Sequence, residues 1–363
     1  MFGNVALSEL CGHVIEALRI FEKVQRRFHP LNLADLHEML MPIQELLDQD
    51  LNRSRSGHGS EAGQALCDVL ERAAEEIIRA VYLITPAGDI QQGMMNVLRA
   101  GRKVCRVQES LYPFRNEYEV INEFFLEEAV RGRIFKTNRS ARSARVPVGI
   151  RHTGLEDNPY ARGSLSLYVP ESYDDSRTWP MVVALHGGFG HGRDFLWTWL
   201  REARGRGFIL LAPTSRGTTW SISRPEEDLD HLLRACEDLL ALYRINADRI
   251  MITGISDGAT FALLCGLRTL SPFTAVAVVS GVLAPMDLSA AQGRRIFWVH
   301  GAHDWMFPVS RAVSGCKALS ASGADVTLRI IPDLAHAYPR EENNAILSWF
   351  DQALDLKNYP PHA

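Results

Sequence analysis

Three side chains in this 363-residue sequence have the types and the chain order needed to activate a hydroxyl: Ser256, Asp304 and His336. The serine lies in "RIMITGISDGATFALLCGL" (249–267), where an apolar run stops at Gly254-Ile-Ser-Asp-Gly258 and a small-residue apolar pattern of helical type resumes. Gly-x-Ser-x-Gly between a strand and a helix is the nucleophile-elbow pattern. So tight a turn strains its central residue and lifts the side chain above the sheet, while the flanking glycines let strand and helix approach each other. A serine capping a buried helix has a similar local signature. The two partners further along the chain favour the nucleophile.

A serine hydroxyl needs a base, and the base needs a third group to hold it. Behind an elbow, the acid and the histidine follow the serine in that order. Asp304 in "IFWVHGAHDWMFP" and His336 in "RIIPDLAHAYP" each follow a strand-like run and precede a helical one. Asp287 and Asp333 stand as alternative acids. His300 and His303 stand as alternative bases, although both precede Asp304 and lie on or beside a strand end.

Acyl transfer also needs donors for a developing oxyanion, each worth about 3 kcal/mol. The N–H of Asp257 is one expected donor. The second is expected from "LHGGFGHG" (185–192), with Gly188 favoured and Phe189 as the alternative. The Gly188, Gly190, Gly192 spacing lacks the following pattern and the ribose-binding acid of a dinucleotide site. His186 is expected to order this loop through hydrogen bonds. Aromatic residues crowd the segments around these groups, and Trp220 and Trp305 are assigned to a pocket for an apolar acyl or aryl group.

The elements that position these residues alternate in type after residue 145. "GSLSLYVP", "WPMVVALHGG", "GFILLAPTS", "DRIMITGIS", "FTAVAVVSG", "RRIFWVHGAHD" and "DVTLRIIPD" read as strands. Most are continuous apolar runs, as a parallel sheet covered on both faces requires, and helical patterns separate them. This predicts an α/β, doubly wound, mostly parallel sheet with its site at the carboxyl ends of the strands.

The first 130 residues read differently. Val14, Leu18, Phe21 and Val24 form one helical stripe, and Leu66, Val69, Leu70, Ala73, Ile77 and Ala80 another. Asn32 and Ser60 are expected N-caps, and Pro42 is expected to kink or end a helix. The predicted organisation is a helical domain over 1–130, a basic linker over 131–145 and an α/β domain over 146–363. The helical domain is a candidate lid, dimerisation surface or partner module.

Composition narrows the partners. A formal net charge of −4 gives no bulk attraction to nucleic acid or anionic membranes. Glu9, His13 and Glu16 interrupt any apolar run long enough for a signal core or a membrane span. Six cysteines without C-x-x-C spacing suit reduced thiols and a cytoplasmic setting better than a disulfide framework or a zinc site.

Residues 160 to 355 resemble the α/β-hydrolase superfamily, and within it the phospholipase/carboxylesterase and polyhydroxybutyrate-depolymerase-like esterases. The resemblance is carried by "LHGGFGHGRDF", "APTSRGTTW", "GISDGATFALLCGL", "VHGAHDWMFP" and the histidine of "AHAYP". It implies a Ser256, His336, Asp304 triad that hydrolyses small-molecule carboxylic esters through an acyl-enzyme, without metal or organic cofactor. Peptidases, thioesterases, lyases and perhydrolases use the same triad, and a non-catalytic scaffold is the alternative outside enzymes. Two features depart from the family pattern. Asp257 places a carboxylate beside the oxyanion position, where it must meet solvent or a cation, and the helical third lies outside the common core.

Overall fold

The computed structural model describes residues 2–56, 64–86, 89–131, 146–154, 158 and 160–358. The chain divides into two compact units, Met1–Glu128 and Ala129–Ala363. Ser60 and all but the first residue of the 131–145 segment lie outside the described residues.

In the first unit, α1 (Phe2–Arg26), α2 (Leu33–Ser56), α3 (Gln64–Leu83) and α4 (Ile90–Leu111) are followed by the short α5 (Glu119–Phe124). The α1 stripe of Val14, Leu18, Phe21 and Val24 is buried, as are Leu66, Leu70, Ala73, Ile77 and Ala80 on α3. Two local expectations differ from what forms. Pro42 lies inside α2, which continues to Ser56. The buried face of Leu36, Leu40, Ile43, Leu47 and Leu51 supplies the packing that offsets a helix-interior proline cost of about 3 kcal/mol. Asn32 does precede α2, yet its side chain turns backwards, accepting from the His29 N–H at 3.0 Å and donating to the Arg27 carbonyl at 2.9 Å.

The second unit is built on one eight-stranded sheet: β1 (Gly149–Thr153), β2 (Leu165–Val169), β3 (Trp179–Leu185), β4 (Ile209–Pro213), β5 (Ile245–Ile255), β6 (Ala275–Val279), β7 (Arg295–Gly301) and β8 (Asp325–Ile331). Its order is β1-β2-β4-β3-β5-β6-β7-β8. β2 runs antiparallel to both neighbours, and every pairing from β4 to β8 is parallel. The helices are α6 (Gly192–Phe195), α7 (Leu200–Arg206), α8 (Glu226–Leu242), α9 (Asp257–Gly266), α10 (Val309–Ala321) and α11 (Asn343–Phe350).

β1 is the strand that the sequence reading lacks. It is an edge strand whose "GIRHT" is nowhere fully buried, so it carries neither an apolar run nor clean alternation. The central strands do, because β3, β4 and β6 are buried at every position. Among the described residues no helix is long and apolar enough to cross a membrane.

Candidate active site

Ser256 directly follows β5 and precedes α9, with φ 56° and ψ −123°. No L-residue other than glycine adopts such a conformation cheaply, and the sequence around it explains why it holds. A Cβ on Gly254 would stand 2.6 Å from the Gly258 carbonyl carbon, and one on Gly258 would stand 2.3 Å from the His186 carbonyl oxygen. Only glycine permits that contact between strand and helix. The Ser256 N–H donates to the Val279 carbonyl at the end of β6, at 2.9 Å, which ties the elbow to the sheet.

His336 arrives from beyond β8. Its Nε2 stands 3.0 Å from Ser256 Oγ and its Nδ1 2.9 Å from Asp304 Oδ2. Asp304, just past β7, accepts from the Met306 and Phe307 N–H groups at 3.0 and 2.7 Å through its other oxygen. Burial alone would raise this carboxyl; the hydrogen bond and charge of His336 and the Phe307 N–H outweigh burial and hold it below its ordinary range.

A serine on a strained elbow, an imidazole and a carboxylate in contact in that chain order, and this strand order occur together in one fold. The second unit has the α/β-hydrolase fold.

Known proteins resemble parts of the chain. Residues 215–353 match the family model described as Phospholipase/Carboxylesterase. The esterase YpfH of Escherichia coli (strain K12) is 28% identical over 119 residues, which are 30% of this chain and 51% of that protein. The chain thus spans about half the length of this curated relative. Among solved structures, esterase PE8 is 23% identical with a TM-score of 0.44, over 52% of this chain and 99% of that one. An acetyl xylan esterase from Aspergillus awamori is 17% identical with a TM-score of 0.45, over 56% and 98%.

Among the described residues, the N–H groups of Gly188 and Asp257 make no hydrogen bond. Phe189 differs from expectation. Its left-handed backbone, φ 58°, turns its N–H to the Thr218 carbonyl at 2.9 Å, so that donor is already engaged. The Asp257 carboxylate meets neither solvent alone nor a cation. Its Oδ2 accepts from the Thr219 hydroxyl at 2.7 Å and would lie 3.0 Å from a Cβ on Gly188. His186 accepts from the Ser215 N–H at 3.1 Å through Nε2, and its Nδ1 lies 2.7 Å from the Gly187 carbonyl.

Trp220 is a correction. It is 3% exposed, stacks on Phe261 with ring centroids 5.1 Å apart, and donates through its indole N–H to the His186 carbonyl. It packs beneath the loop that follows β3. Trp305 lies edge-on to His336, with centroids 6.1 Å apart. Phe307, which the sequence reading left unassigned, stands closer, at 5.4 Å and 90°.

The alternative acids and bases lie elsewhere. Asp287 is an exposed turn residue whose oxygens accept from Ser289. Asp333 and His303 are exposed. His300 is fully buried behind the acid, its Nε2 2.7 Å from the Phe307 carbonyl and 3.4 Å from Asp304 Oδ2, its Nδ1 3.4 Å from the Trp298 indole N–H. Burial lowers its basicity against the pull of that carbonyl and of Asp304. A neutral ring donating through Nε2 satisfies these contacts, so His300 braces the acid loop.

The loop carrying His336 is anchored on its far side. Arg340 donates to the Trp197 carbonyl at 3.1 Å, and Asn343 donates to the Thr198 carbonyl at 3.0 Å and to Glu202 at 2.9 Å. Tyr338 packs edge-on against Phe195 and Trp199.

Proposed function

We propose that this chain is a serine hydrolase acting on small-molecule carboxylic esters through an acyl-enzyme. The observation that carries the proposal is the unbroken contact from Ser256 Oγ through His336 to Asp304 on a strained elbow.

Ser256 Oγ attacks the ester carbonyl carbon as His336 Nε2 takes its proton. Asp304 holds the Nδ1–H and stabilises the imidazolium. The carbonyl oxygen, now an oxyanion, receives the Gly188 and Asp257 N–H groups. Collapse expels the alcohol, which leaves with the proton from His336, and Ser256 stays acylated. Water repeats the sequence: His336 takes its proton, the acid departs and the serine hydroxyl is restored. The Asp257 carboxylate accepts from the Thr219 hydroxyl, which disperses part of its charge.

Trp305 and Phe307 beside His336 suit an apolar group on the substrate. Six cysteines outside any disulfide suit a reducing, cytoplasmic setting. The test is hydrolysis of p-nitrophenyl esters from acetate to palmitate by wild type and Ser256→Ala, with matched thioesters and anilides alongside. Serine-dependent turnover fastest on the oxygen esters is expected. Turnover that survives in Ser256→Ala, or faster cleavage of the anilide, overturns the reading.

A further inference from the structure

A cleft of about 340 Å3 opens between the segment after β6 and the first half of α10, lined by Val282, Leu283, Ser310, Arg311, Ser314 and Gly315. Each of its walls connects to a member of the triad through one intervening residue. On one side the Val282 N–H donates to Thr260 Oγ1 at 3.1 Å, and the Thr260 N–H donates to the Ser256 carbonyl at 3.0 Å. On the other, the Arg311 guanidinium carbon lies 5.8 Å from the centroid of the Phe307 ring, and that ring meets the His336 imidazole at 5.4 Å. One aromatic ring, that of Phe307, thus stands between Arg311 and the histidine that must reach the leaving oxygen.

Its lining has two characters. Val282, Leu283 and the bare backbone of Gly315 make an apolar floor; a Cβ on Gly315 would stand 3.1 Å from Leu283 Cβ. Ser310, Arg311 and Ser314 are exposed polar residues within one helical turn of one another on α10. Among the described residues, no carboxylate stands within ion-pair distance of Arg311, whose guanidinium lies over the Phe307 ring. A planar guanidinium without an acid partner, at the rim of an apolar cleft, matches a ligand with an apolar stem and a terminal carboxylate.

We propose that this cleft selects ester substrates bearing a second, ionised acid group, and that Arg311 is the residue that binds it. This rests on the ester-hydrolase reading of Ser256. The acid can sit on the acyl or on the alcohol part of the ester, and the test separates the two.

Wild type, Arg311→Gln and Arg311→Lys are assayed on two matched pairs. Mono-p-nitrophenyl adipate against its primary amide carries the charge on the acyl part; 5-acetoxypentanoate against its primary amide carries it on the alcohol. The expected result is an acid-to-amide ratio of kcat/KM well above unity in one pair, falling about tenfold or more in Arg311→Gln and partly kept in Arg311→Lys. A wild-type ratio at or below unity in both pairs, or a ratio unchanged by Arg311→Gln, overturns the proposal.

A binding measurement keeps the two readings apart. Calorimetric titration of monomethyl adipate and of 5-acetoxypentanoate into Ser256→Ala, and into the same protein with Arg311→Gln, is independent of turnover. Arg311-dependent binding combined with a wild type that hydrolyses no ester supports the cleft and overturns the hydrolase reading. No binding of either compound to Ser256→Ala overturns the cleft.

Discussion

At the scale of single residues, the site is a matter of what each polar atom touches. Ser256 is 8% exposed, strained at φ 56° and in contact with an imidazole whose other nitrogen is already held. Ser256→Ala and His336→Ala each remove one link and leave the packing nearly intact. Turnover is expected to fall by about 10^4-fold or more in either, with the double variant little worse than the singles, because the residues act as a unit. Strongly additive losses in kcat would count against that unit.

Asp304 and His300 also shape the response to acid. Both bind protons less readily in the folded chain than their ordinary values, 3.8 and 6.5, allow. Their contribution to stability is therefore complete above those values and is lost as pH falls through the lower folded ones. Denaturant unfolding as a function of pH should show stability declining from below 6.5 and again from below 3.8. Asp304→Asn should flatten the lower step, and a lower step of the same size in that variant would refute the linkage.

Ser256, Asp304 and His336 were legible as candidates because a five-residue motif and chain order are properties of sequence. The engagement of the Phe189 N–H by Thr218, the burial of Trp220 under the loop and the Thr219–Asp257 pair join segments tens of residues apart. No local pattern encodes them, and aromatic content alone does not distinguish a pocket wall from a loop support.

At the scale of elements, glycines decide how closely strands and helices meet. A Cβ on Gly258 would press 2.3 Å from the His186 carbonyl oxygen and 2.6 Å from that of Leu185. Gly258→Ala should therefore destabilise the chain by about 1–3 kcal/mol and shift the elbow enough to cost activity. Gly12 is the contrast: it lies within α1, and an added Cβ meets nothing within 4 Å. Gly12→Ala should stabilise by about 0.5–1 kcal/mol through helix propensity. Equilibrium unfolding of the two variants side by side checks both signs.

The buried central strands could be read from their apolar runs, whereas edge strand β1 could not, since pairing with β2 rather than burial defines it. Pro42 shows the same lesson in a helix, where a buried face outweighs a local breaker.

At the scale of the whole molecule, both units keep their cysteines out of disulfides and mostly buried. Burial pushes the Cys11 thiol up to about 11 and those of Cys236 and Cys316 to about 12, and raises Cys265 well above its ordinary value. Cys67 and Cys105 are partly exposed. With Ellman's reagent at mildly alkaline pH, these two should react first in the native protein, and all six should react after unfolding in guanidinium. Rapid reaction of four or more thiols in the folded protein would contradict the burial described. Legibility ran out at this scale too: helical and α/β patterns separate in the sequence, but neither reveals a cleft formed between the segment after β6 and a helix beginning thirty residues later.

The contact between His336 and Ser256 spans 80 residues of chain. At a synthesis rate of about 5–20 residues per second, the serine is made about 4–16 s before its proton acceptor exists. Under the proposed function, a growing chain carries through that interval a serine hydroxyl that still lacks its base.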